Sequence, residues 1–288
     1  MTFLYYFGAV ASSATQSALT KTHHRYPSTV YRFNFFKSLF AFLFFMIAFL
    51  ISREGWHLPT LLYGCIFGVC MVVSMQAGYI ALSTGPLSLT SMTVSFSLVI
   101  PCLYGIIFRK EQISHIVALG FVLLISSLLC INLKPQKADK EKQPLTLKWA
   151  LAVALTLLSN GICSIVQAEH QRSFPSSYHF SFLCAAMGVC LLTFLVFFLT
   201  ERIRTQASPS PKAADMIAGG AGITNGLSNF FSLTLAAMSP ASILFPLLSV
   251  CTMLTSLLVG RVIFGEKLSM GQLIGFCLGV TAVFCLKS

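Results

Sequence analysis

Five apolar stretches of the sequence carry asparagine, glutamine, serine or threonine at helical spacing, and these side chains could bind a polar ligand. In each set the members follow one another by three or four residues, which places them on one face of a helix. An amide offers two hydrogen-bond donors and an acceptor, so the asparagines and glutamines are the stronger candidates. The sets are Asn225, Ser228, Asn229 and Ser232; Asn160, Ser164 and Gln167; Ser13, Gln16 and Thr20; Ser88, Ser91 and Ser95; and Ser249, Thr252 and Ser256, with Gln76 alone in a further stretch.

Small polar residues have a second use in apolar helices, where they let two helices approach closely and hydrogen-bond across the contact. For serine and threonine we favour this packing role. Asparagine and glutamine deep in a membrane are harder to explain by packing alone, because each amide has more hydrogen-bonding groups to satisfy.

The pattern of reactive residues argues against an enzyme. The sequence contains no H-x-x-x-H motif, no pair of carboxylates within an apolar stretch and no glycine-rich phosphate loop. Its ten cysteines form no C-x-x-C motif and have no histidine at ligand spacing, so neither a metal site nor a disulfide framework is indicated. We therefore expect a protein that binds a small molecule without a cofactor.

The composition indicates that lipid surrounds the elements that carry these residues. Of 288 residues, 56% are hydrophobic and 9% are charged, whereas soluble domains carry about 25% charged residues. Apolar runs of about 20 residues, the length that crosses a bilayer, recur along the chain, and the alternation of a β-barrel is absent. The sequence predicts an all-α membrane protein with ten spans, numbered 1 to 10 in chain order: 3–20, 29–52, 59–83, 86–108, 112–133, 147–168, 178–200, 214–238, 240–264 and 268–286.

Charged residues lie mainly at the ends of these spans. Lys37 is the deepest basic residue, and we expect the side chains of both Lys37 and Arg261 to extend to the membrane surface. His23, His24 and His170 lie at span ends, where we expect solvated side chains. The net charge of the ligand-binding site should then be neutral or mildly basic. All glutamates near spans are terminal, namely Glu54, Glu111, Glu169, Glu201 and Glu266.

Aromatic residues suggest how the spans meet lipid. Trp56 and Trp149 open spans 3 and 6, as interfacial anchors do. The phenylalanine-rich segment 33–45 has aromatic residues on nearly all sides of the helix and is predicted to face lipid, although one or two rings could line a cavity for an aromatic cargo. The net charge of +11 is attributed to loops on one membrane face, so we expect no nucleic-acid partner.

The chain reads as two repeats of five spans, 1–133 and 147–288, joined by a polar linker at 134–146. A shift of 147 residues pairs Tyr31 with Tyr178 and Glu54 with Glu201. Shifts of 154 and 155 continue the match through Pro86 with Pro240 and Glu111 with Glu266. Because five is odd, the second repeat enters the membrane inverted, as in many transporters whose substrate binds between the repeats. We predict that Asn160, Gln167, Asn225 and Asn229 face one cavity there.

Each repeat places prolines in its fourth span. Pro86 and Pro240 open the two spans, a position where proline needs no amide donor, and Ser239 is the expected N-cap. Pro101 and Pro246 are predicted to lie inside the helices, where each would free a carbonyl four residues earlier. A packing kink and an opening into a polar cavity are equally good explanations.

Several segments resemble the ten-helix, EamA-type branch of the drug/metabolite transporter superfamily. They are "SPASILFPL" at 239–247, "GEKLSMGQLIGFCLGVTAVF" at 265–284, "GPLSLTSM" with "RKEQISHIVALGF" in the first repeat, and "YRF" at 31–33. The resemblance covers nearly the whole chain. It implies two inverted five-helix repeats that export small organic molecules by alternating access. The chain departs from the family in span 1, where "SSATQSALTK" replaces the usual Trp-Gly pair.

Together these features predict a secondary transporter in the cell membrane (plasma or inner membrane). The expected cargo is a small neutral, zwitterionic or anionic metabolite of amino-acid type, and coupling to protons or ions is left open. A lipid or headgroup flippase and a passive channel are the alternatives. Its partners would be the small-molecule substrate and the lipid bilayer.

The orientation of the ten spans is predicted in opposite ways by charge and by resemblance. One face would hold five basic residues: Arg53, Arg109, Lys110, Arg172 and Lys287. The other would hold eleven: Lys21, Arg25, Lys134, Lys137, Lys140, Lys142, Lys148, Arg202, Arg204, Lys212 and Lys267. Positive-inside counting therefore puts both termini outside. The family resemblance implies cytoplasmic termini, and we give slightly more weight to the charges.

Overall fold

The fold is taken from a computed structural model of the whole chain. It describes residues 2–23, 25–84, 90, 94, 96–111, 114–132, 146–205, 211–264 and 269–287. Several predicted features lie outside the described residues, namely the linker 134–145, His24, Pro86, Ser88, Ser91, Ser95, Glu266 and Lys267.

Within the described ranges the chain is helical and has no strand. A 3₁₀ turn, Phe96–Leu98, precedes the fourth helix. The α-helices, numbered in chain order, are α1 Thr2–His23, α2 Val30–Ser52, α3 Leu58–Thr84, α4 Val99–Arg109, α5 His115–Asn132, α6 Leu147–Ser173, α7 His179–Thr205, α8 Lys212–Ala236, α9 Ala241–Phe264 and α10 Met270–Lys287.

Five of these helices are long and apolar enough to cross a membrane: Val30–Ser52, Leu58–Ala81, Leu147–Ser173, His179–Arg204 and Ala241–Ile263. The helical content and these five helices are those of an all-α membrane protein. In the described residues α1 and α8 are 22 and 25 residues long but more polar, and three further apolar helices are shorter.

The chain divides into two compact units. The first comprises Met1–Val69 and Val166–Met238, and the second comprises Cys70–Ile165 and Ser239–Ser288. Each unit therefore combines residues from both predicted repeats. The divisions fall within α3 and α6.

In the first unit α2 packs between α7 and α8. Its phenylalanines meet glycines on both neighbours: the Phe42 ring lies against Gly188, and Phe45 lies against Gly226. Phe45 is fully buried. The expectation that segment 33–45 faces lipid is wrong for these rings, because the glycines leave room for them inside the protein.

The contacts within the first unit also give helix directions. Thr29 lies beside Glu201 and Met46 beside Cys184, so α2 and α7 are antiparallel. Gly8 lies against Phe231 while Gly220 faces Leu19, so α1 and α8 are antiparallel as well.

In the second unit α5 and α10 run antiparallel. Gly120 lies against Leu286, and seven residues later the Ser127 hydroxyl donates to the carbonyl of Gly275 at 2.5 Å. The C-terminal part of α3 pairs with the N-terminal part of α6 in the same way, since Ser74 meets Asn160 and Gly78 meets Thr156.

Trp149 differs from its predicted position as an interfacial anchor. It is 9% exposed and packs with Ala81, Ala152 and Val153, and its Nε1 donates to the Thr90 hydroxyl at 2.8 Å. A buried indole needs a partner for its N–H, which Thr90 supplies. Trp56 remains 57% exposed and contacts the ring of Phe49.

Two glutamates stabilise helix starts far away in the sequence. Glu54 Oε2 accepts from the amides of Phe180 and Ser181 in the first turn of α7, at 3.1 and 3.0 Å. Glu111 accepts from the amides of Ala241 and Ser242 in the first turn of α9, at 3.2 and 3.0 Å. A carboxylate satisfies these amides and interacts favourably with the helix dipole.

The structure begins α9 at Ala241, one residue later than predicted, and the N-cap role of Ser239 stays a prediction. The first amides of α9 go to Glu111, and the helix begins one residue after Pro240, whose carbonyl accepts from Leu244. Pro101 is also not interior, because it is the third residue of α4, where no helical amide bond is lost. Pro246 does lie inside α9.

Candidate functional site

An amide cluster lies in the first unit, between α6 and α8. The Gln167 Nε2 donates to Asn229 Oδ1 at 3.3 Å, and the Ser232 hydroxyl donates to Gln167 Oε1 at 3.1 Å. Gln167 is 3% exposed. One donor and the acceptor oxygen of this buried amide are thus met by residues one helical turn apart on α8.

Asn225 joins this amide cluster through its backbone. The Asn229 Nδ2 donates to the Asn225 carbonyl at 2.9 Å, four residues earlier on α8. The Asn225 side chain is half-buried on the same helix face. Three of the four residues predicted on α8 therefore belong to the amide cluster, and Ser228 does not.

Ser228 has the packing role that serine often takes in membrane helices. Its hydroxyl donates to the carbonyl of Ala9 on α1 at 3.3 Å. Ser164 donates to the Asn160 carbonyl of its own helix. The Ser228 bond joins α8 to α1, whereas the Ser164 bond lies within a single helix.

Asn160 belongs to the second unit, whereas Gln167, Asn225 and Asn229 belong to the first. Its Oδ1 accepts from the Ser74 hydroxyl of α3 at 2.6 Å. That all four face one cavity stays a prediction.

Three further candidates have different surroundings. Gln16 on α1 is half-buried, and Ser249 on α9 is exposed. Gln76 on α3 is half-buried, and its Nε2 has no hydrogen-bond partner among the described residues. Such an amide could donate to a ligand.

Lys37 is buried rather than extended to the membrane surface, so the expectation for it is wrong. It is the eighth residue of α2 and is 7% exposed. Asn34 and Ser38, which share its helix face, are 6% and 4% exposed. The carbonyl of Lys37 touches Gly222 on α8, where a side chain would collide with it. Arg261 in the last turn of α9 is exposed.

An ion pair at the start of α2 and α8 was missed by the sequence reasoning. Arg32 binds Asp215 with both ends of its guanidinium, Nε to Oδ1 at 2.8 Å and Nη2 to Oδ2 at 2.7 Å. Thr29, just before α2, donates to Glu201 at 2.6 Å. The signal was present, since Asp215 is the lone acid of span 8 and lies in its first turn.

Histidines expected to be solvated are buried. His170 is fully buried and His23 is 5% exposed. The Thr60 hydroxyl lies 3.2 Å from both His170 Nε2 and His57 Nδ1, and Gln171 Nε2 lies 3.0 Å from His170 Nδ1. These contacts connect α3 and α6 at one end of the first unit.

The described residues contain no group of three or more His, Cys, Asp or Glu side chains that could hold a metal ion. Neutral amides and hydroxyls dominate the amide cluster, and Lys37 with Asn34 adds a buried cation on α2. Such groups can bind a polar molecule by hydrogen bonds and by charge.

Comparison with known proteins gives a fold and a distant relative. No family model matches the chain. An uncharacterized protein of Haemophilus influenzae is 25% identical over 199 residues, which cover 66% of this chain. The match spans 62% of that relative's length. A protein of known crystal structure superposes with a TM-score of 0.76 at 16% identity, over 99% of this chain and 95% of that one. At this identity the likeness shows that the chain has a fold already seen in a crystal, and no more.

Proposed function

We propose that this chain is a secondary transporter of the cell membrane. It would export a small neutral, zwitterionic or anionic metabolite by alternating access between two inverted repeats of five spans. The observation that carries the proposal is a reciprocal contact between two helices that the repeat makes equivalent.

That contact joins α2 and α7, which the 147-residue shift superposes in sequence. Glu54, which follows α2, binds the first turn of α7, and its equivalent Glu201, in the last turn of α7, binds Thr29 before α2. An inverted repeat maps each helix onto a partner of opposite direction, and these two are antiparallel. Reciprocal contacts of this kind follow from a two-fold axis between the repeats.

A second equivalent pair supports the same symmetry. The shift of 155 superposes α5 on α10, and these helices also pack antiparallel through Gly120 and Ser127. Antiparallel packing of repeat-related helices is what an inverted topology requires.

Helix directions in the first unit agree with a chain that crosses the membrane at every helix. The helices α1 and α8 are antiparallel, while α2 and α8 are parallel, since Arg32, Lys37 and Phe45 meet Asp215, Gly222 and Gly226 in order. Among α1, α2, α7 and α8, the odd-numbered helices thus run opposite to the even-numbered ones. The resemblance to EamA-type transporters adds the expectation of ten spans in all.

The chemistry of the amide cluster favours a polar, uncharged or singly charged cargo. Gln167 and Asn229 can exchange their mutual hydrogen bond for bonds to a ligand, since each amide both donates and accepts. The described residues place no carboxylate in this cluster, which makes a cationic cargo a poor fit.

Uptake into proteoliposomes tests the proposal. Purified protein is reconstituted and offered radiolabelled amino acids, nucleosides and fluorescent lipids separately. We expect saturable uptake of a small metabolite that is accelerated by the same unlabelled compound on the opposite side, as alternating access requires. Non-saturable flux would indicate a channel, movement of lipid alone would indicate a flippase, and either result would overturn the proposal.

A further inference from the structure

Lys37 is a cation inside an apolar helix bundle, and its placement is costly. It is the eighth residue of α2, so about 10 Å of helix separates it from the start of the helix. With 7% of its surface exposed it does not reach solvent as lysines near helix ends do. Charges at such depth in membrane proteins are normally retained for function.

The described residues supply no counter-charge to Lys37. No carboxylate among them lies within the 4.0 Å of an ion pair with its ammonium group. Three carboxylates of the first unit bind other groups: Glu54 binds the Phe180 and Ser181 amides, Glu201 binds Thr29, and Asp215 binds Arg32.

The neighbours of Lys37 are suited to an anion with one charge. Asn34 and Ser38 are buried on the same face of α2 and offer uncharged hydrogen-bond donors. Phosphate carries close to two charges and is usually held by several cations or by the fork of an arginine. A single ammonium with an amide and a hydroxyl matches one carboxylate.

We propose that Lys37 binds the carboxylate of the transported molecule, with Asn34 and Ser38 as its hydrogen-bonding partners. This inference rests on the proposed function and narrows its substrate class to small molecules with one carboxylate. The ammonium is left without a described protein partner because the cargo supplies the counter-charge.

The first experiment measures binding without transport. Thermal unfolding of the purified full chain in detergent is followed with acetate, benzoate or L-alanine, each against its amide (acetamide, benzamide or L-alaninamide) at constant ionic strength. We expect at least one carboxylate to raise the unfolding midpoint by about 2 °C more than its amide. Equal midpoints for every pair would overturn the proposal.

Variants assign any such shift to Lys37. Lys37→Met should abolish the carboxylate shift and Lys37→Arg should retain it, while Lys148→Met, at an exposed lysine in the first turn of α6, should leave it unchanged. A shift that survives in Lys37→Met would overturn the proposal. Lys37→Gln, which also lacks the charge, is a second variant that should abolish the carboxylate shift.

Stability without ligand separates binding from a structural role. Removing a buried charge that has no protein partner relieves its desolvation, so Lys37→Met should unfold at a higher temperature than wild type. A lower midpoint would show that the ammonium holds the fold together, which would contradict the proposal.

Transport assays keep this inference distinct from the proposed function. A Lys37-dependent carboxylate shift without any uptake in proteoliposomes would overturn transport and leave the site intact. Saturable uptake of L-alaninamide that is unchanged in Lys37→Met would support transport and overturn the proposed role of Lys37.

Discussion

At the scale of single residues, polar side chains inside apolar helices separate into those that hold helices and those that can bind a ligand. Ser228 donates to a backbone carbonyl of a neighbouring helix, as a packing residue does. Gln167 is bonded only to other side chains, Asn229 and Ser232, in the described part of the chain. Side chains can rotate toward a ligand, whereas backbone partners are fixed.

Gln167→Leu should therefore reduce transport at least tenfold while the protein still inserts and folds. The change removes a buried amide and leaves Asn229 Oδ1 and the Ser232 hydroxyl without their partner, a loss of about 1–3 kcal/mol in hydrogen bonding. Initial uptake rates in proteoliposomes measure it. Gln272→Leu is the matched control, because that glutamine accepts from the Ser269 amide at the start of α10. Wild-type uptake by Gln167→Leu would remove this residue from the site.

Backbone strain at single residues explains how the two capping glutamates, Glu54 and Glu111, are directed toward the helix starts. Both follow a basic residue in the left-handed conformation that ends a helix, Arg53 with φ 54° before Glu54 and Lys110 with φ 53° before Glu111. The amide of Glu111 then bonds back to the Gly105 carbonyl. A residue with a side chain in this conformation costs about 1 kcal/mol relative to glycine.

Lys110→Gly should accordingly raise stability or leave it unchanged, with a gain of up to about 1 kcal/mol. Ile107→Gly, in the last turn of the same helix, should instead lower it by about 1 kcal/mol, because glycine weakens a helix interior. Unfolding midpoints of both variants in detergent give the comparison. A destabilised Lys110→Gly would mean that the lysine side chain itself, and not the turn, matters here.

At the scale of elements, the helices were more predictable than their contacts. The predicted span 29–52 and the helix Val30–Ser52 agree closely. The prediction of 147–168 ends too early, since α6 continues to Ser173. Its last turns carry polar residues such as His170 and Gln171, which lower the hydropathy although both are fully buried with hydrogen-bond partners.

Which face of a helix meets protein was poorly predicted, for a physical reason. Lipid and protein interior are both apolar, so hydropathy does not distinguish a ring that packs on a neighbour from one that faces lipid. Phe45 and Trp149 were misplaced on these grounds. Glycine spacing carried the missing signal, since Gly219, Gly222 and Gly226 form a stripe on α8 that receives α2.

Only part of the candidate site could be predicted, because the sequence shows which helices carry polar residues but not which residues cover them. The α8 set was found from its spacing, because a run of amides stands out in an apolar helix. Lys37 was misjudged, since sequence alone does not show whether a lysine near a helix end reaches solvent or is covered by neighbours. The partners of Asn160 and Gln167 come from segments 62 to 86 residues away and have no local signature.

The capping of α9 by Glu111 gives a prediction at this scale. Glu111→Ala should destabilise the second unit by about 1–2 kcal/mol, because the amides of Ala241 and Ser242 lose their acceptor and the helix start loses a favourable charge. Glu111→Gln keeps an acceptor and should lose less. Thermal unfolding and protease resistance measure the effect. Indistinguishable unfolding of wild type and Glu111→Ala would show that water satisfies these amides equally well.

At the scale of the whole molecule, two lines of reasoning disagree on orientation. The predicted ten spans would place eleven basic residues on the face of the linker and five on the face of the termini. Lys37 belongs to neither count because it is buried, and Arg32 is neutralised by Asp215. Neither residue was included in the two counts, so these contacts leave the predicted imbalance unchanged.

We expect both termini to lie outside the cytoplasm, because basic residues in short loops are retained on the cytoplasmic side. Two fusions at Ser288 measure this: a green fluorescent protein, which is bright only in the cytoplasm, and alkaline phosphatase, which is active only outside it. High phosphatase activity with weak fluorescence is the expected result. Bright fluorescence with an inactive phosphatase would show that the charge count misleads and that the family resemblance gives the orientation. Replacing Lys134, Lys137, Lys140 and Lys142 with glutamine leaves seven basic residues against five, so the orientation of this variant should become mixed if charge sets it.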